Sequence, residues 1–401
     1  MIRFLRSLQK WHIASGLTYH GKLFFSVDST ISGHCSAKRG RTDARPARHG
    51  STERDRTSYC FFAKDRLRFA DAPAWQETVW TPSEGDALLK RKIIIDTDPG
   101  QDDAVALFLA LASPEIEVQA VIAVAGNVPL ARTGENALRI MEMAGFPHIP
   151  VFCGAPRPLR TIQTTAEHVH GPTGLDGIDL SVPPAMPLQT RNGIMYLIEA
   201  VRNSEPGELT LVMLGPLTDL ALALTLAPDI AGRICEVVLM GGAWSELGNI
   251  TPAAEFNIYA DPHAADIVFS AGIPLVVLPL DVTHKCLTLP ERLEALRANG
   301  NRCSNAAVDM LSFSERFDLA KYGWKGAPLH DPCTIAWLLK PDIFGGRHVN
   351  VSIETQGSLS VGMTVVDWWK VTDRTPNALF IRDVEADAFF ELLTTRLATL
   401  P

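Results

Sequence analysis

The run Lys92-Ile93-Ile94-Ile95-Asp96-Thr97-Asp98-Pro99-Gly100-Gln101-Asp102-Asp103-Ala104 decides how this chain folds. Three consecutive isoleucines make a short buried strand that ends in acids and a Pro-Gly break. From Asp102 to Ala112 the apolar residues then recur at helical spacing: Val105, Leu107, Phe108, Leu109 and Leu111. The alternation continues downstream. Strands are expected at 118–124, 151–153, 209–214, 237–240 and 275–280, with helices at 131–144, 217–227 and 262–271. Strands apolar on both faces and separated by helices mean an α/β fold, with a mostly parallel central β-sheet flanked by helices. After residue 280 the pattern is helical (290–298, 304–321, 332–339), then closes with β-like segments near 349–354 and 378–381 and a helix at 386–397.

Ligands of such sheets bind at the carboxyl ends of the strands. Four of the expected strands are followed directly by polar or glycine-rich residues: Asp96 to Asp103, Ala125-Gly126-Asn127, Gly215-Pro216-Leu217-Thr218 and Gly241-Gly242. The chemistry therefore collects on one rim.

Of the 401 residues, 46% are hydrophobic and 20% charged, enough for a large core and unlike disordered, collagen-like or coiled-coil chains. The net charge of −8 is uneven: residues 1–91 hold 16 Lys+Arg against 9 Asp+Glu, and residues 92–401 hold 21 against 36. So acidic a body is a poor partner for nucleic acid, and no apolar run of about 18 residues suggests a membrane span. Seven cysteines without a C-x-x-C pair, most in apolar runs, read as buried thiols in a reducing compartment, hence a cytoplasmic protein. Residues 1–91 form a basic extension without the means to build a core. It is a targeting peptide, a disordered tail, or upstream sequence foreign to the working protein; no Met lies between Met1 and Met141 to start a shorter product. Residues 92–401 form one large domain.

Asp96, Asp98, Asp102 and Asp103 fall within eight residues. Asp102 and Asp103 could merely favour a helix N-terminus, but Asp96 and Asp98 are left over, and four crowded carboxylates ask for a hard cation. His330-Asp331-Pro332 has the form of a helix cap, as does Asp261-Pro262; His330 sets the first apart by adding a group that titrates near neutrality. Asn249, Glu255 and Asn257, among small residues after Gly241-Gly242, suit hydrogen bonding to hydroxyl-rich ligands, or a loop that satisfies its own backbone. His168-Val169-His170 precedes a glycine-rich loop, 171–177, of the kind that forms a flap.

Taken in order, the segments Asp96 to Ala104, Ala125-Gly126-Asn127, His170-Gly171, Gly215 to Thr218, Met240-Gly241-Gly242, Pro252 to Asn257 and His330-Asp331-Pro332 resemble the nucleoside hydrolases, which split ribonucleosides into base and ribose. The stretches Gly326 to Trp337 and Glu354-Thr355-Gln356-Gly357 look like the pyrimidine-specific branch. His168 departs from the pattern, where a small polar residue would precede Val-His-Gly. The resemblance implies a Rossmann-like core and a calcium ion held by Asp98, Asp103, Asp331 and the main-chain carbonyl of Leu214. It also implies that Asp102 and Asn127 bind the ribose 2′- and 3′-hydroxyls while Asn249, Glu255 and Asn257 hold the 5′ side. Relatives imply a homodimer or homotetramer, with a small ribonucleoside as the partner molecule.

Breaking an N-glycosidic bond builds positive charge on the sugar and negative charge on the departing base. Asp98 is the expected water-activating base, and His330, with His170 second, the group that assists the leaving base. Two other functions compete. Asp96-x-Asp98 imitates the aspartyl-phosphate phosphatases, though Gly100 stands where Thr or Val belongs and no lysine loop matches. A non-catalytic nucleoside or sugar sensor of the same fold would be marked by loss of an acid, and Asp98, Asp103 and Asp331 are all present.

Overall fold

A computed structural model describes residues 90–401. The expectations for the basic extension, and for Cys35 and Cys60, lie outside the described residues. Among the described residues there are ten strands: β1 (Arg91–Thr97), β2 (Ile116–Ala123), β3 (Val151–Cys153), β4 (Thr210–Met213), β5 (Glu236–Met240), β6 (Leu275–Leu278), β7 (Phe344–Val349), β8 (Val351–Ile353), β9 (Thr364–Val366) and β10 (Ala378–Val384). Eight of them form one sheet in the order β3-β2-β1-β4-β5-β6-β10-β7, and β8 pairs with β9 apart from it. All pairs in the large sheet are parallel except β10 with the edge strand β7.

The isoleucine run shows why the sheet is buried on both faces. Ile93 and Ile95 pack into the core on one side and Ile94 into the core on the other, as the two-residue period of a strand requires. The helix that follows, Gln101–Leu111, is itself enclosed, with Val105, Leu107, Phe108 and Leu109 fully buried. Burying each such side chain contributes about 1.5–3 kcal/mol. Because that helix lies inside, the acidic loop at its start is drawn into the interior.

Several elements went unread in the sequence, among them β9 and the short helices Glu167–His170, Phe256–Ala260 and Leu280–Thr283. Strand β7, Phe344-Gly345-Gly346-Arg347-His348-Val349, lacks apolar alternation because an edge strand buries little; Gly346, Arg347 and His348 are exposed. The helix Gly193–Asn203, capped by Asn192 on the Ile194 N–H, was also missed. Among the described residues no helix is long and apolar enough to cross a membrane, and the five cysteines are free thiols, three of them buried.

Candidate active site

The chain leaves β1 towards β2 on one side, and β4 joins β1 on the other. This reversal opens a crevice at the carboxyl ends of the strands, where ligands of α/β sheets bind. The crevice is an open cleft whose lining includes Asp102, Asn127, His170, Leu214, Asn249, Glu255, Asn257, His330 and Asp331. Nine of the eleven residues expected from the sequence therefore meet in one place. The other two, Asp98 and Asp103, lie beneath it, 1% and 0% exposed.

The floor is a carboxylate cluster. Asp102, Asp103 and Asp331 each bring an oxygen within 4.8 Å of the others. Asp98 adjoins them, its Oδ2 accepting the Asn127 N–H at 2.7 Å. Asp103 does cap its helix, accepting the Gly100 N–H at 2.9 Å, and also accepts the Thr97 hydroxyl. Asp331 caps nothing with its side chain, whereas Asp261, the matching Asp-Pro, caps Ala264 at 3.1 Å and accepts Thr218 and Leu159 as well. Of the two Asp-Pro pairs that open helices, the one beside His330 has its carboxylate free for the cleft.

Burial holds the Asp98 and Asp331 carboxyls well above the usual range, and the charges of their carboxylate neighbours push the same way. Asp102 is raised to about 6, again by burial, with backbone N–H groups opposing. Asp103 is raised by burial and by Asp102, against the Thr97 and Gly100 hydrogen bonds and the field of His170. A buried carboxylate set that its own charge penalises fits a hard cation with oxygen ligands. The Leu214 carbonyl accepts Asn257 Nδ2 at 2.7 Å, which leaves one of its lone pairs for a further partner.

Glu255 and Asn249 act first on their own loop. Glu255 accepts the N–H groups of Gly242 (2.9 Å), Asn257 (2.8 Å) and Ile258 (3.2 Å), and Asn249 Oδ1 accepts that of Phe256 (2.9 Å). Burial still lifts the Glu255 carboxyl to about 7. His170 closes the short helix Glu167–His170, and the loop behind it is tied to the acidic turn: Asn136 Nδ2 donates to the carbonyls of Pro99 and Thr173, and Gln101 Nε2 to those of His170 and Asp176. The unexpected His168 stands edge-on to Phe317, with ring centroids 5.2 Å apart, and so docks this loop on the helix Arg302–Tyr322.

Several contributors were missed in the sequence. One face of the helix Arg302–Tyr322 supplies Ser314, Phe317, Asp318, Lys321 and Tyr322 to the cleft. Burial raises Asp318 to about 6. Nothing local distinguishes this face from an ordinary half-buried helix. Thr283, whose hydroxyl lies 2.8 Å from His330 Nδ1, could have been found. Asp281-Val282-Thr283-His284 is polar sequence directly after an expected strand, the same signal that exposed the other rim segments. Asp219 was also passed over. It sits under the rim with Asp96, and burial lifts both, Asp219 to about 7.

A mostly parallel sheet with this switch point and this acidic floor forms a cleft fitted to a small polar ligand, and the class is set by comparison. A sequence profile of the inosine-uridine preferring nucleoside hydrolases matches residues 93–391. The chain belongs to that family and is an N-glycosidase of ribonucleosides. It is 50% identical over 310 residues to an uncharacterized protein of Schizosaccharomyces pombe, spanning 77% of this chain and 100% of that one. It is 47% identical over 307 residues to the pyrimidine-specific ribonucleoside hydrolase RihA of Klebsiella pneumoniae, spanning 76% and 98%. Among solved structures, a plant nucleoside hydrolase superposes with a TM-score of 0.72 at 34% identity, covering 77% of this chain and 99% of that one. A purine-preferring ribonucleoside hydrolase from Gardnerella vaginalis also reaches 0.72, at 28% identity, covering 77% and 98%.

Proposed function

We propose that this enzyme hydrolyses pyrimidine ribonucleosides, uridine and cytidine, to free base and ribose in a calcium-dependent reaction. The observation that carries this reading is the juxtaposition of the Asp102, Asp103 and Asp331 oxygens, within 4.8 Å of one another, with an amide- and imidazole-lined cleft. The likeness to a pyrimidine-specific relative at 47% identity supports the choice of base.

Asp98, Asp103, Asp331 and the Leu214 carbonyl would hold the calcium, whose chemistry is to bind and orient the ribose 2′- and 3′-hydroxyls. Asp102 and Asn127 then accept from and donate to those hydroxyls, while Asn249, Glu255 and Asn257 fix the 5′ side. In the reaction the C1′–N bond breaks with its electron pair going to the base, and a water oxygen bonds to C1′. Asp98 takes the proton this water loses, the departing base picks one up from solvent water, and Asp98 returns its own to the solvent to close the cycle. Anionic oxygens around the ribose favour the positive charge that develops there. Burial pushes His330 down to about 3 and His170 to about 4, so both imidazoles are neutral at neutral pH and act on the base as hydrogen-bonding groups. The enzyme would work as a homodimer or homotetramer in the cytoplasm.

The test is ribose release from uridine, cytidine, inosine and 2′-deoxyuridine, with calcium and after chelation. Calcium-dependent release from the first two, with little from inosine, is the expected result. Nucleoside binding without any release would make the chain a sensor instead.

A further inference from the structure

Resting on the reading of the cleft as a nucleosidase site, we infer that its two histidines are held as opposite neutral tautomers. Thr283 makes His330 a donor towards the departing base, and Gln101 makes His170 an acceptor.

The Thr283 hydroxyl is fully buried, and among the described residues its one hydrogen-bond partner is His330 Nδ1, at 2.8 Å. If Nδ1 carried the proton, the hydroxyl would accept and its own hydrogen would be stranded in the interior, at a cost of about 1–3 kcal/mol. Donation from the hydroxyl to an unprotonated Nδ1 satisfies both groups. The proton of the neutral ring then resides on Nε2, the nitrogen left for the cleft that His330 lines.

At His170 the chemistry is reversed. Gln101 Nε2 donates to two carbonyls, His170 at 2.9 Å and Asp176 at 3.1 Å, which fixes the orientation of the amide. Its Oε1, an acceptor only, therefore faces His170 Nδ1, 2.5 Å away. That nitrogen must carry a proton, so in the neutral ring His170 Nε2 is a bare acceptor.

A ligand matching this pair presents a hydrogen-bond acceptor to His330 and a donor to His170. A pyrimidine carbonyl, which gains negative charge as the glycosidic bond breaks, suits the first. Thr283 and Gln101 are thus positioning residues: neither is required to touch the substrate, and each sets what an imidazole can do. The donation from His330 strengthens as charge builds on the base and therefore acts in the transition state.

The experiment has two arms. In the first, the calcium-loaded enzyme labelled with 15N-histidine is examined by NMR, with His330→Asn and His170→Asn assigning the signals. A pyridine-type Nδ1 on His330 and a pyridine-type Nε2 on His170 are expected; the same tautomer on both rings overturns the inference. In the second, Thr283→Val and Thr283→Ser are compared on uridine and on 4-nitrophenyl riboside, whose leaving group departs without help. The Val variant should lose about 10-fold to 100-fold in kcat on uridine with KM within about twofold, keep its rate on the nitrophenyl riboside, and be rescued by Ser. Equal losses on both substrates would mean a merely structural threonine. Failure of the wild type to cleave uridine would count against the proposed function, and the NMR arm would still decide the tautomers.

Discussion

Gly126 stands so close to Asp98 that a Cβ on it would lie 2.0 Å from Asp98 Oδ2, and Gly215 closes the other side, with its Cβ position 2.5 Å from Oδ1. Two glycines from the loops after β2 and β4 thus wedge the carboxylate proposed as the water-activating base. Gly126→Ala should push Asp98 out of register and overpack the floor, costing about 1–3 kcal/mol. Activity should fall with stability. Gly232→Ala, where nothing lies within 4 Å, is the control and should leave both unchanged in denaturant unfolding and turnover assays.

Asp98→Asn keeps the volume and the Asn127 contact and removes the proposed base. Turnover on uridine should drop by about 10²-fold or more. Asp103→Ala should act first on the metal, raising the calcium concentration needed for half-maximal activity. Near-normal turnover of Asp98→Asn with calcium bound would assign the water-activating role elsewhere.

The metal-free protein should lose stability as pH rises. Asp102 moves from 3.8 to about 6 on folding and Glu255 from 4.5 to about 7, so the folded chain holds protons that the unfolded chain releases. Stability is then greatest below these windows and declines through them, contrary to the usual salt-bridged carboxylate. If calcium is the cation of this cluster it binds the deprotonated form, so its stabilisation should grow with pH and reach about 2.7 kcal/mol at a hundredfold excess over its Kd. Thermal melts at several pH values, with calcium and with chelator, read both slopes.

If the ribose diol is what the calcium and Asp102 recognise, 2′-deoxyuridine should be cleaved at least about 100-fold less efficiently than uridine. A site built around a hydroxyl leaves buried polar groups unpaired when that hydroxyl is missing. Comparable kcat/KM for the two nucleosides would remove the diol from the mechanism.

The α/β class, the strand that carries Asp96 and hands on to Asp98, and the rim where polar residues gather are all legible in the sequence. These are local matters: a β-branched run and a 3.6-residue period fix element type, and the carboxyl end of a parallel strand is the same rim for every strand. The charge asymmetry between residues 1–91 and 92–401 is legible there too, since charge is counted and not folded. Which helix-opening Asp-Pro pair is free is a matter of packing, because Asp261 and Asp331 stand in similar sequence and differ in what they meet: Asp261 spends its oxygens on Leu159, Thr218 and Ala264, whereas Asp331 turns to Asp102 and Asp103. The same holds for Thr283 against His330, 47 residues apart, and for the helix face from Ser314 to Tyr322. A hydrogen bond or a wall of a cleft depends on which distant segments packing brings within about 3 Å, and no local period in the chain encodes that distance.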